Sequence, residues 1–185
     1  MTTERPHQYG CSITDDWTYK GMKVLFMEND FLRIGILVDK GSDIFEFTYK
    51  PANLDPLLRL PKGIRNPARD INQLPNHMGR FEDYYYGGWQ ETLPNSPVFN
   101  YRGAMLGMHG ELSLIPWKYA IVEDTSDCVA VKMWTELLRM PLVLEKTFRL
   151  YKAESRLYIA ETLQTEVTRR WISCGDTTLP LVCPF

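Results

Sequence analysis

The chain has 185 residues, of which 44% are hydrophobic and 24% charged, and its formal net charge is -2. This charge gives no support to nucleic acid or an anionic membrane surface as a partner. The N-terminus MTTERPHQYG lacks the apolar stretch of a signal peptide, and no run approaches the roughly 18 apolar residues of a membrane span. Cys11, Cys128, Cys174 and Cys183 form no CxxC pair. We therefore expect a reduced, cytoplasmic protein without metal or cofactor, and the sequence leaves the oligomeric state open.

The first part of the chain predicts an antiparallel meander. Alternating apolar residues predict strands over Met22–Asp30 and Phe31–Asp39, and an aromatic face predicts a third strand over Asp43–Lys50. Only the turn Lys40–Ser42 separates the second strand from the third. Links this short favour antiparallel neighbours.

The pattern changes between Pro51 and Pro97. Seven prolines recur in this stretch among Asn, Asp and Gly, a composition that sustains neither a central strand nor a long helix. The stretch also contains RFEDYYYGGWQETLP, which is too aromatic for a disordered segment. We predict an ordered excursion, and loops of this length often carry function.

Regular alternation returns in the second half and predicts four more strands. They cover Glu111–Asp124 (interrupted or at an edge at Pro116), Cys128–Leu138, Pro141–Lys152 and Ser155–Glu166. On the third of these strands Leu142, Leu144, Phe148 and Leu150 share one face, and on the fourth Leu157, Ile159 and Leu163 do. No helix and no internal repeat is indicated. The spacing predicts an all-β sandwich or barrel.

The segment GGWQE, Gly87–Glu91, is an unusual cluster. Its two glycines permit a left-handed backbone or the close approach of a ligand. Trp89 offers a flat face that suits a sugar ring, and Gln90 and Glu91 offer hydrogen-bonding groups for hydroxyls. Asn95 and Arg102 are polar candidates nearby. A structural β-bulge would fit the same residues, and the 12% aromatic content also suits ordinary sheet packing.

Of the three histidines, His109 has the most informative context. His7 lies in the polar N-terminus and His77 in the proline-rich stretch, whereas His109 stands in GAMLGMHGELSLIPW, among three glycines at the entry to a predicted strand. A plain hydrogen-bonding role remains an alternative to a functional one. Motifs for phosphoryl transfer, dinucleotide redox chemistry and serine hydrolysis are absent from the sequence.

Three segments, in order and in spacing, resemble the aldose 1-epimerase (galactose mutarotase-like) family. They are the opening stretch Tyr19–Arg59, then YYGGWQETLPN at Tyr85–Asn95, and GMHGELSLIPW at Gly107–Trp117. The resemblance extends from about Tyr19 to Glu166. It implies that residues 1–166 form the N-terminal part of a galactose mutarotase-like β-supersandwich.

The resemblance also implies a function and a site. Family members bind a free sugar and interconvert its α and β anomers, which requires an acid and a base with pKa values near the working pH. His109 matches the first of two catalytic histidines. The substrate, a monosaccharide or sugar derivative, would contact Trp89, Gln90, Glu91, Asn95, Arg102, Glu111 and Trp117. The second histidine and the catalytic glutamate of the family have no counterpart in this sequence.

The tail, residues 167–185, differs in sequence from the family. In family members, a segment similar to MDFMWGHHPAFG follows the strand that corresponds to Ser155–Glu166. A reading frame shifted by one base recovers that segment. Trp171 has the codon TGG and every codon for Ile172 begins with AT, so the shifted triplet is GAT, which encodes aspartate. The remaining codons allow MDFMWGHHPAFGVPF.

We therefore expect a frame change after about residue 164 and an aberrant tail, with a divergent tail or an alternative exon as the other explanation. On this basis the chain would be C-terminally truncated and impaired or inactive as an epimerase. The alternative is a non-catalytic, carbohydrate-binding β-sandwich.

Overall fold

The computed structural model describes residues 10–70, 79–165 and 179–182. This part of the chain is built almost entirely from antiparallel strands, joined by one short α-helix and two single-turn 3-10 helices. The strands and the helix, in chain order, are β1 (Ser12–Tyr19), β2 (Met22–Glu28), β3 (Leu32–Leu37), β4 (Asp43–Tyr49), α1 (Gly79–Tyr84), β5 (Phe99–Tyr101), β6 (Ala104–Leu106), β7 (Lys118–Asp124), β8 (Cys128–Glu136), β9 (Leu142–Tyr151), β10 (Tyr158–Thr165) and β11 (Leu179–Val182).

The strands form two meanders and a hairpin. One sheet has the order β1-β2-β3-β4, a second has the order β11-β10-β9-β8-β7, and β5 pairs with β6. Every strand pairing is antiparallel, and apart from β10 and β11 the paired strands are joined by short links, which favour this arrangement. These antiparallel sheets confirm the predicted all-β, sandwich-like fold.

The two larger sheets share one core. Inward side chains of β2 and β3, such as Leu25 and Ile34, belong to the same buried cluster as Val131 on β8 and Phe148 on β9. Burial alternates residue by residue along β9, so one face of the strand is buried and the other is in contact with solvent. The alternation of apolar and polar residues in the sequence therefore marks which side chains face the core and which face the surface.

Besides the strand in the tail, the sequence did not predict strand β1, helix α1 or the β5–β6 hairpin. Strand β1, SITDDWTY, carries two aspartates and becomes exposed from Asp16 onwards, because it is the edge strand of its sheet. Helix α1 has six residues, which is too short to produce a periodic signal. The β5–β6 hairpin has three residues in each strand, also below what alternation reveals.

The strand predicted over Glu111–Asp124 is wrong in its first half. Residues Leu112–Leu114 form a 3-10 turn, and β7 begins only at Lys118. Pro116 explains the boundary, because proline has no N–H to donate to a strand ladder. The remaining predicted strands are present as β2, β3, β4, β8, β9 and β10.

The tail is described only at Leu179–Val182, which forms β11 and pairs with β10 from Tyr158 to Glu161. The sequence predicted no regular structure for the tail. An open strand edge presents unpaired backbone groups, and a short extended segment satisfies them. The suspected frame change falls at the end of β10, and most of the recovered motif falls on residues outside the described part. No helix within the described residues is long and apolar enough to cross a membrane.

Candidate functional site

Backbone contacts join the two segments that carry most of the predicted site residues. Leu93 and Gly110 form a parallel bridge. The Glu111 N–H donates to the Leu93 carbonyl at 3.2 Å, and the His109 N–H donates to the Ser96 carbonyl at 2.8 Å. The Asn95 side-chain amide donates to the Gly107 carbonyl at 2.7 Å. The structure thus brings Asn95, His109 and Glu111 together, which we call the histidine group.

The chain can approach itself this closely only because residue 110 is glycine. A Cβ on Gly110 would lie 1.8 Å from the Leu93 carbonyl oxygen, and the backbone φ there is +71°. His109, immediately before it, has a φ of 59°, a left-handed conformation that few residues other than glycine adopt. Strained backbone of this kind is concentrated at functional sites.

The His109 ring contacts helix α1 through Phe81. It packs edge-to-face on the Phe81 ring, with 4.4 Å between ring centroids. Its Nδ1 is buried and has no hydrogen-bond partner among the described residues. A buried nitrogen without a partner is costly, and such atoms in native proteins call for a functional or ligand-related explanation.

A cleft of about 520 Å³ opens beside the histidine group. Phe81, Gly110 and Glu111 line it, whereas His109 does not line it and contacts its wall through the Phe81 ring. The Glu111 carboxylate accepts a hydrogen bond from the Arg139 backbone N–H at 3.0 Å. The wall combines polar groups with apolar ones such as Leu106, Met108, Leu114, Ile115 and Leu138. This combination, at this size, is typical of small-molecule sites.

The segment GGWQE is anchored to β4. Trp89 and Ile44 exchange two backbone hydrogen bonds, at 2.9 and 3.0 Å, and the Trp89 side chain packs against the main core. A Cβ on Gly87 would lie 2.0 Å from the Leu58 carbonyl oxygen, so glycine is required there as well. Both side-chain amide atoms of Gln90 are buried, and the described part of the chain provides no hydrogen-bond partner for them.

Glu91 forms an ion pair with a lysine inside the sandwich. Lys146 of β9 is 2% exposed, and its Nζ donates to Glu91 Oε1 at 3.1 Å. The same ammonium group lies 4.7 Å from the centroid of the Trp117 ring. Trp117 is itself buried and donates through Nε1 to the Leu112 carbonyl at 3.5 Å. Trp89, Glu91 and Trp117 are therefore tied to one buried cation or to the core around it.

A second buried ion pair lies close by. Lys40 Nζ and Asp43 Oδ2 are 2.5 Å apart, and both side chains are 0% exposed. Burial raises the pKa of Asp43 to about 6, although Lys40, and Lys146 more weakly, act in the opposite direction. Burial and the Asp43 carboxyl also raise the pKa of Tyr86.

A third carboxyl completes this region. Burial, followed by the charge of Glu91, raises the pKa of Glu161 on β10, against the lowering effect of Lys146. Glu161 lies directly opposite Lys146 in the β9–β10 register. We call Lys40, Asp43, Glu91, Lys146 and Glu161 the buried charge cluster.

Arg102 is outside both groups. It occupies the turn between β5 and β6, is exposed, and places its guanidinium 5.5 Å from the Tyr101 ring centroid. His7 and His77 lie outside the described residues. Within the described ranges, no group of three or more His, Cys, Asp or Glu side chains could hold a metal ion.

Sequence reasoning missed Lys40, Asp43, Lys146 and Glu161. A signal for two of them was present in the alternation. Lys146 has the same phase as Leu144 and Phe148, and Glu161 the same phase as Ile159 and Leu163. A charged residue at an apolar position of a strand indicates a buried charge, which needs a partner.

Comparison with known proteins adds little to this site. No model of a known protein family matches the chain, and no curated protein matches it. Among solved structures, the chain is similar to a TPR-domain containing protein from Parabacteroides distasonis, with a TM-score of 0.55 and 18% identity. The match covers 77% of this chain but only 21% of that one. At this identity the similarity shows the fold alone.

Proposed function

We propose that the chain is an aldose 1-epimerase-like, carbohydrate-active protein, which binds a free monosaccharide or sugar derivative in the cleft beside the histidine group. The observation that carries the proposal is the backbone bridge between Leu93 and Gly110. It joins the GGWQETLPN and GMHGELSLIPW segments, which carry the family resemblance, although the two bridge positions are 17 positions apart in the chain.

The chemistry of the cleft supports a polar ligand with hydroxyl groups. The residues that line it include two with carboxylates, Asp39 and Glu111, and one with an amide, Asn66. Phe81 and Tyr84 supply aromatic rings, and such surfaces suit the C–H faces of a sugar. Carboxylate and amide groups accept or donate hydrogen bonds to hydroxyls, and this pairing fixes the ligand's orientation.

By the resemblance, His109 is the group that would take part in anomer exchange, and in the structure its ring lies behind Phe81, which lines the cleft. Ring opening requires a proton for the ring oxygen, and an imidazole exchanges protons near neutral pH. The resemblance implies three catalytic groups, of which only His109 has a counterpart in this sequence. We therefore expect the chain to bind sugar but to show little or no mutarotation. This expectation gives weight to the non-catalytic carbohydrate-binding alternative.

The test compares binding with turnover on the same preparation. Isothermal titration calorimetry with a panel of free hexoses and pentoses measures binding, and polarimetry of the same sugars measures mutarotation. The key variant is His109→Asn, because asparagine tolerates a left-handed backbone better than most residues while it removes the imidazole. Lys132→Met, on the outer face of β8, is the control.

Each result has a distinct meaning. Turnover in the wild type that His109→Asn abolishes supports the epimerase-like proposal. Binding without turnover supports the carbohydrate-binding alternative. A folded wild-type protein, verified by thermal melting, that binds no sugar in the panel contradicts both.

A further inference from the structure

We propose that Asn95 is a positioning residue of the cleft: its side-chain amide holds the turn Gly107–Gly110, which carries His109, against the segment Leu93–Pro97. The family resemblance implies instead that Asn95 contacts the sugar directly. The role of Asn95 in ligand binding rests on the proposed function. Its effect on the turn is testable without any sugar.

Both amide protons of Asn95 are already engaged in hydrogen bonds. Its Nδ2 donates to the Pro97 carbonyl and to the Gly107 carbonyl, each at 2.7 Å. A side-chain amide has only two N–H bonds, so Asn95 has no donor left for a sugar hydroxyl. Its Oδ1 is buried, and Asn95 itself does not line the cleft. Asn95 therefore acts on a ligand in the cleft through the backbone that it holds.

The two segments that Asn95 joins both line the cleft. The lining residues from these segments are Pro94, Gly107, Met108, Gly110 and Glu111. Among the described residues, the hydrogen bonds between the segments come from the backbone, through His109 and Glu111, and from the Asn95 side chain. A substitution at Asn95 removes the side-chain bond and leaves the backbone groups of both segments unchanged.

The turn needs this support because its backbone is strained. The Gly110 N–H donates to the Gly107 carbonyl at 3.2 Å, which closes a four-residue turn. His109 is the third residue of that turn and has a φ of 59°, at a position where glycine or asparagine is favoured. Such a conformation persists only when the surrounding structure enforces it. The Gly107 carbonyl accepts both the closing bond and the Asn95 bond, so Asn95 acts where the turn is closed.

The turn also determines where the His109 imidazole lies. The ring packs edge-to-face on the Phe81 ring, with 4.4 Å between centroids, and Phe81 lines the cleft. Relaxation of His109 to a negative φ redirects its Cα–Cβ bond and separates the two rings. Loss of the Asn95 bonds is therefore expected to disturb the cleft wall and the imidazole together.

The first experiment follows the turn by NMR in the absence of sugar. The ring current of Phe81 displaces the signals of the His109 ring protons, so these signals report the contact between the two rings. Asn95→Ala removes both amide donors, and the His109 signals are expected to move towards those of an unstructured histidine. Hydrogen exchange at the His109 and Gly110 amides is expected to accelerate by about tenfold, since these amides close the contacts that Asn95 supports.

Two further variants accompany Asn95→Ala. Asn100→Ala is the matched control, because Asn100 also uses its side chain to support a turn, through the Gly103 N–H at 3.1 Å, but in the exposed β5–β6 hairpin. It is expected to leave the His109 signals unchanged. Asn95→Ser keeps one hydroxyl donor and can retain at most one of the two bonds, so its effect is expected to be intermediate. Thermal melting verifies that each variant folds, and Asn95→Ser carries the test if Asn95→Ala does not.

The second experiment measures sugar affinity by calorimetry with the same panel of free hexoses and pentoses. Asn95→Ala is expected to bind about tenfold more weakly than the wild type, which corresponds to the net free energy of roughly one hydrogen bond. Asn95→Ser is expected to lose less affinity, and Asn100→Ala none.

The two experiments together separate the outcomes. Weaker binding by Asn95→Ala with unchanged His109 signals and amide exchange identifies a direct contact with the sugar and overturns the positioning role. Displaced His109 signals with undiminished affinity overturn the role in binding and leave the proposed function intact. Absence of sugar binding in the wild type overturns the proposed function, whereas the NMR experiment still decides whether Asn95 holds the turn.

Discussion

The sheet that contains β8 and β9 carries a lysine–carboxylate pair on each of its two faces. On the outer face, Lys132 and Glu145 are 2.8 Å apart and are 40% and 30% exposed. On the inner face, Lys146 and Glu91 are 3.1 Å apart and are 2% and 24% exposed. The distances differ little, so burial is what distinguishes the two pairs.

The Lys40–Asp43 pair is more buried than either of these two pairs, since both of its side chains are completely buried. Exposed ion pairs contribute little because water screens them and their side chains lose entropy. Buried pairs depend on each other, because loss of one member leaves the other charged and unsolvated. The expected effect of removing a lysine should therefore increase with the burial of its partner.

The largest effect is expected at the Lys40–Asp43 pair. Lys40→Met leaves the Asp43 carboxyl buried without its cation and should lower the free energy of unfolding by roughly 3–5 kcal/mol. The double variant Lys40→Met/Asp43→Leu removes both charges and should recover most of that loss. Urea denaturation, followed by circular dichroism, measures both. A double variant no more stable than Lys40→Met would contradict the buried-pair explanation.

The pH dependence of stability is the next largest effect. The pKa of Asp43 is about 6 in the folded protein, above the unfolded value of about 3.9. Between these values the folded state binds more protons, so this contribution to stability is full below about pH 4 and is lost as pH rises through about 6. A shift of this size corresponds to roughly 3 kcal/mol.

The measurement is the difference in unfolding free energy between the wild type and Lys40→Met/Asp43→Leu, from about pH 4 to about pH 7. The wild type should lose stability relative to the double variant over this range. A difference that stays constant with pH would show that Asp43 titrates as an ordinary carboxyl. Glu161, whose pKa is also raised, is present in both proteins and cancels.

An intermediate effect is expected at Lys146. Lys146→Met removes the cation from Glu91, but the partly exposed Glu91 carboxylate can recover some hydration. We expect a loss of roughly 1–3 kcal/mol in denaturation experiments. A loss as large as that of Lys40→Met would mean that Glu91 is held as firmly as Asp43.

The smallest effect is expected on the outer face. Lys132→Met removes the cation from an exposed pair, and the free energy of unfolding should change by about 0–1 kcal/mol. Added salt should reduce even this difference, because screening acts on exposed charges. If Lys132→Met cost as much as Lys146→Met, burial would not be the property that separates the two faces.

Much of the fold could be predicted from the sequence, because alternation directly encodes which face of a strand is buried. Strands β2, β3, β4, β8, β9 and β10 follow from it. Helix α1 and the β5–β6 hairpin could not be found, because elements this short are stabilised by their tertiary contacts rather than by a local pattern. Pro116 was recognised as an interruption, but its consequence, that β7 starts at Lys118, is visible only in the structure.

The candidate site was partly predictable. The sequence indicated Trp89, Glu91 and His109 through their glycine-rich surroundings. It did not indicate that Glu91 and His109 belong to different groups, because that division depends on which backbone segments meet. The bridge between Leu93 and Gly110 requires a glycine that accepts a contact no side chain would allow.

The alternation of apolar and polar residues defines the strand faces, including the phase that places Lys146 and Glu161 on the inside. Only the tertiary structure determined their partner. Glu91 is 55 residues from Lys146 along the chain, and no local rule relates two positions so far apart. They pair because GGWQE is bonded to β4, and β4 packs across the core from β9, where a buried ammonium requires a carboxylate.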